Sequence, residues 1–144
     1  MQVRPLTPDD EPGLYELETR LLKPHQTPRA QSAALRFFAR SGHSFVAEEK
    51  GRPLGFVLAQ PVWQGDRATV LVSRLVAENE ETHLALLAAL LKSAYDAAAY
   101  EVAYPAEDEA ATLVAELGFA PGPRLFVRAL GSRGARGEHR GVLE

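Results

Sequence analysis

Between His43 and Val76 the sequence carries three β-patterned runs joined by short turns, and this spacing constrains the fold more than any other feature. His43–Glu48 is the first run. Lys50-Gly51 turns the chain, Leu54–Gln60 returns, Gly65-Asp66 turns it again, and Ala68–Val76 is the third. In the third run Thr69, Leu71, Ser73 and Leu75 alternate with Val70, Val72, Arg74 and Val76, the two-residue period of a strand. Turns this short join antiparallel neighbours. An Ala/Leu-rich helix is then expected over Glu80–Ala97, with Leu84, Leu87, Leu91 and Ala94 inward and Leu86 and Leu90 widening that face. Tyr100–Tyr104 reads as a short buried strand stopped by Pro105. A strand–helix–strand crossover makes a parallel pair.

The flanking segments complete the order. Val3–Leu6 reads as a first strand, followed by a helix with Leu14, Leu17 and Leu21 at helical spacing. That helix starts near Asp9 or Asp10, because a start at Thr7-Pro8 would leave Pro12 without a needed N–H, and it ends at Lys23-Pro24. Thr27-Pro28 signals a second helix with Ala30, Ala34, Phe37 and Phe38 inward and Gly42 as its stop. Glu107–Leu117 is a last helix, with Ala110, Leu113, Val114 and Leu117 inward. Gly118 is placed as its left-handed end residue, with Phe119 folding back on Val114. Leu125–Leu130 reads as a final strand. The order β-α-α-β-β-β-α-β-α-β predicts an α/β (α+β) domain over 1–130: a mixed, mostly antiparallel sheet with helices on both faces. From Gly131 to Glu144 a Gly/Arg-rich tail is expected to be disordered.

Composition narrows the function classes. The chain has 144 residues, suited to one domain, and no cysteine, which removes disulfides, thiolate metal sites and a Cys nucleophile. Its histidines, at 25, 43, 83 and 139, never stand at i, i+4, so no zinc or other metal site is expected. A formal net charge of −3 gives no basic field for nucleic acid. No apolar run is long enough to span a membrane, and MQVRPLTPDDE lacks the order of a secretion signal, so a cytoplasmic protein is expected.

Four stretches carry a family resemblance. VRPLTPDD, FVAEEKGRPLGFVLAQ with Gly55, ALLAALLKSA and EAATLVAELGF occur in the order and spacing found in the GNAT superfamily of acyl-CoA-dependent N-acyltransferases, which this chain resembles over about residues 1–130. The resemblance implies an acyl-CoA cofactor bound where the fourth strand meets the next helix. There the family carries a loop of the form Q/R-x-x-G-x-G/A, whose glycines admit backbone N–H groups to the pyrophosphate. This chain has Glu78, Asn79, Glu80 and Glu81 in that region, with no glycine or arginine. Two like charges 4–6 Å apart repel by about 3 kcal/mol at a surface-type dielectric, so these carboxylates disfavour acyl-CoA. They also suit a helix start, with Asn79 as cap and acids in the first turn. Two further departures stand on the same side of the fold: Glu107 where the family often has Asn, and Val114 where it often has a Tyr that protonates the leaving thiolate.

The candidate catalytic residues are therefore Tyr104, which ends the fifth strand, and Glu107. The candidate cofactor contacts are Leu75, Ala77, Thr82 and His83. Each also has a structural reading: Tyr104 as an amphipathic residue at the core's edge, Glu107 as part of an acidic first helical turn, and His83 as a solvent-facing helix residue. Two functions stay open at this level. One is an acyl-CoA-dependent N-acyltransferase with a non-standard cofactor site. The other is a non-catalytic binding module that keeps the fold, with a small molecule or protein as partner and a homodimer among the options.

Overall fold

A computed structural model describes residues 1–105, 111–122 and 126–131. The elements are β1 (Gln2–Pro5), a 3-10 turn (Pro8–Asp10), α1 (Glu11–Leu21), α2 (Ser32–Ser41), β2 (Phe45–Glu49), β3 (Arg52–Gln64), β4 (Arg67–Ala77), α3 (Glu80–Asp96), β5 (Glu101–Ala103) and α4 (Ala111–Ala115). The strands lie in the order β1-β2-β3-β4-β5. The first three pairings are antiparallel and β4–β5 is parallel; the short turns predict β2–β3 and β3–β4, and the crossover predicts β4–β5. The β2–β3 turn places Lys50 and Gly51 at φ 52° and 79°, the double positive-φ geometry that matches strand twist in a tight hairpin.

Strand alternation splits the apolar residues between two cores. Val46, Phe56, Leu58 and Val76 face α1 and α2, where Leu6, Leu14, Leu17 and Leu35 meet them. Ala47, Val57, Ala59, Val70 and Val72 face Leu86, Leu87, Leu90 and Ala94 of α3, with Val114 of α4 alongside. Each fully buried Leu or Phe contributes about 1.5–3 kcal/mol. The α3 face thus centres on Leu86 and Leu90 rather than on Leu84 and Leu91, which are only half-buried. Gly118 stands at φ 87°, and the Phe119 N–H reaches back to the Val114 carbonyl at 3.3 Å, the expected left-handed helix end.

Three expectations are corrected. The second helix begins at Ser32, not after Thr27-Pro28, because the Arg29 and Ala30 N–H groups both donate to the Glu18 carboxylate and hold that segment outside a helix. Phe37 is 53% exposed; Leu35 and Ala30 take the buried positions. Residues 126–130 form no strand: each is exposed, and the five-stranded sheet of the described residues does not include them, so apolar composition there was not a strand signal. Residues 107–110 and Leu125 lie outside the described residues. Among those described, no helix is long and apolar enough to cross a membrane.

Candidate functional site

The parallel pairing of β4 with β5 covers only Thr69↔Glu101, Val70↔Val102 and Leu71↔Ala103. Beyond it the strands part, for two local reasons. Pro105 has no N–H with which to extend the ladder. On β4, Ser73 is an extra residue: Leu58 pairs with Arg74 while Ala59 pairs with Val72, and such a bulge bends the strand. The separation opens a cleft of about 650 Å³. Val72–Ala77 form one wall and His83, Tyr104, Pro105 and Leu113 the other, with Leu21–Lys23, Gln26 and Arg29 across the mouth.

One carboxylate fixes that mouth. Glu18 is fully buried at the end of the Leu14–Leu17 face. Its Oε1 accepts the Arg29 and Ala30 N–H groups, each at 2.7 Å, and its Oε2 accepts Arg74 Nη1 at 2.8 Å. Arg74 also donates to the Thr27 carbonyl at 2.8 Å, and Arg29 Nη1 donates to the Ser73 carbonyl at 2.6 Å. The α1–α2 connection is thus bound to the bulge of β4 through satisfied polar groups, the condition under which a buried charge is tolerated.

Tyr104 and His83 come together on the inner wall. Tyr104 Oη lies 3.2 Å from His83 Nε2, and the ring centroids are 5.8 Å apart. The Phe119 ring meets Tyr104 edge-on at 6.2 Å, so the glycine-terminated end of α4 buttresses the pair. Burial lowers the His83 pKa, and Glu80 opposes this in part. The imidazole is therefore neutral at pH 7 and can accept the phenol proton.

The junction of β4 with α3 is capped. The Glu78 N–H donates to the Leu54 carbonyl at 3.0 Å, the Thr82 N–H to Asn79 Oδ1 at 2.8 Å, and the His83 N–H to the Asn79 carbonyl at 3.1 Å. Asn79 is thus the cap its sequence position predicts. Glu78 does not face a ligand: its Oε1 accepts Arg20 at 2.7 Å and Arg52 at 3.0 Å, and these partners lower its pKa. Gly55 permits the close approach, since a Cβ there would lie 2.5 Å from the Val76 carbonyl and 2.9 Å from the Thr82 methyl.

Of the sequence candidates, Leu75, Ala77, His83 and Tyr104 line the cleft. Thr82 is buried, with its hydroxyl near Met1 Sδ, and Glu107 lies outside the described residues. Sequence reasoning missed Glu18, Arg29 and Arg74. Only Glu18 left a signal: a carboxylate four residues after Leu14 on an apolar helix face. The cleft suits the narrow amide-bearing pantetheine arm, with a strand edge beside it. The start of α3 does not fit the diphosphate of coenzyme A, because the Asn79 side chain already takes the Thr82 N–H and Glu80 and Glu81 carry no ion-pair partner among the described residues.

A sheet of this order, with helices on both faces and a splayed parallel pair, defines a GNAT-like acyltransferase fold. A Trypanosoma brucei acetyltransferase shares it at TM-score 0.66 and 20% identity, over 90% of this chain and 99% of that one. The aminoglycoside N-acetyltransferase AAC(6')-Iy in complex with CoA does so at TM-score 0.69 and 18% identity, over 88% and 91%. The chain belongs to the family described as protein of unknown function (DUF1999), whose model matches residues 1–141. TTHA1254 from Thermus thermophilus is 47% identical, with TM-score 0.80 over 92% of this chain and 100% of that one. No curated protein matches.

Proposed function

We propose that this chain is an N-acyltransferase that binds the pantetheine arm of an acyl thioester in the β4–β5 cleft and transfers the acyl group to an amine. The observation that carries this reading is the Tyr104–His83 pair on the wall of a cleft made by strand separation. The amine nitrogen bonds to the thioester carbonyl carbon, the C–S bond breaks, and the thiolate leaves. Tyr104 Oη gives its proton to the thiolate. Neutral His83 takes the proton released by the amine at Nε2 and returns it to the tyrosine oxygen, so the pair ends as it began. Proton transfer of this kind contributes about 10²–10⁴-fold. The edge of β4 over Val72–Ala77, beyond its pairing with β5, holds the pantetheine amides as an added strand would.

Calorimetric titration with S-acetylpantetheine and acetyl-CoA tests the reading. Binding of a thioester, together with thiol release that depends on an added primary amine, is the expected result. Absence of binding by either compound at about millimolar concentration, some −4 kcal/mol of affinity, overturns it.

A further inference from the structure

We infer that the acyl donor of this cleft is a pantetheine thioester without an adenosine diphosphate group. The inference rests on the reading above and names its donor. An acyl-CoA lying along the cleft would bring its diphosphate to the start of α3. That place stays acidic on balance, with Glu78, Glu80 and Glu81 against Arg20 and Arg52 among the described residues. Glu80 and Glu81 are exposed and have no ion-pair partner among those residues. Arg20 and Arg52, which reach this junction, are both committed to Glu78. Asn79 occupies the Thr82 N–H that a phosphate oxygen would need, and the Glu78 N–H belongs to the Leu54 carbonyl. The absence of glycine from 78–81 leaves side chains where a backbone cradle requires none. Besides its thioester, S-acetylpantetheine presents only amides, two hydroxyls and methyl groups, and none of these is charged.

Three measurements decide it. S-acetylpantetheine should bind about tenfold tighter than acetyl-CoA, since the diphosphate is repelled and the nucleotide gains no contact that offsets this. Raising the salt from about 0.05 to 0.5 M should strengthen acetyl-CoA and leave S-acetylpantetheine unchanged, because screening relieves only a repulsion. The E80Q/E81Q double variant should gain about tenfold for acetyl-CoA alone. Acetyl-CoA binding wild type about tenfold tighter than S-acetylpantetheine, or weakening with salt, overturns this inference while the acyltransferase reading stands. If neither binds, the acyltransferase reading falls and takes the inference with it. An acetylated phosphopantetheinyl carrier protein supplies the last arm. Saturation at lower concentration than S-acetylpantetheine assigns the donor to a carrier, and saturation at the same concentration assigns it to the free thioester.

Discussion

Tyr104 and His83 were each visible in the sequence as polar aromatic residues near the expected cleft, but nothing in the sequence joined them. They stand on opposite ends of a crossover, and only the length and tilt of α3 decide that Oη meets Nε2. The Tyr104→Phe variant keeps the Phe119 contact and loses the proton. It should lower kcat about a hundredfold or more with KM for the thioester nearly unchanged, as measured by thiol release. His83 also sets a pH dependence. Burial holds its folded pKa below the ordinary 6.5, so its contribution is fully present above pH 6.5 and is lost as pH falls through the lower folded value. His43, lowered by the same cause, adds to that loss. His83→Gln should therefore flatten part of the fall in Tm below pH 6.5 and leave the Tm difference constant above it, as followed by circular dichroism.

At the scale of elements, the hairpins and the long crossover helix were legible because their signals are local: two-residue periodicity, positive-φ turn residues and an Asn cap. What was not legible depended on distant partners. The start of α2 is set by Glu18 capturing two backbone N–H groups, and no property of Thr27-Pro28 announces that. The apolar run at 126–130 looks like a strand by composition and has no ladder in the described structure. The junction of β4, α3 and β3 makes its own prediction. Gly55→Ala forces a methyl to 2.5 Å from the Val76 carbonyl, so β3, β4 and α3 must separate. This should cost about 1–3 kcal/mol in urea denaturation, typical of overpacking. Because Leu75 and Ala77 lie on the same strand as Val76, thioester binding should weaken with it.

At the scale of the molecule, the fold is the part the sequence carried best and the site the part it carried least. Element order reaches the GNAT-like architecture without any contact being known. The site depends on where a bulge falls and on which residue receives its carbonyl. Glu78, one of three carboxylates read as facing a ligand, instead ties α1 to β3 through Arg20 and Arg52. The most consequential polar group is Glu18. Glu18→Ala strips the Arg29 and Ala30 N–H groups and the largely buried Arg74 of their shared acceptor and should destabilise the protein by about 2–4 kcal/mol in equilibrium denaturation.

The same carboxylate makes the cleft's mouth readable by isotope. Arg29 and Ala30 amides end on Glu18, and Arg74 joins that carboxylate to the strand that forms the cleft wall. Solvent deuterium reaches those two amides only when the mouth detaches from β4. A bound thioester should therefore slow their exchange by the factor its binding stabilises the closed state, even though it touches neither amide. Two peptide N–H groups on a connecting segment thus report occupancy of a site built from other elements.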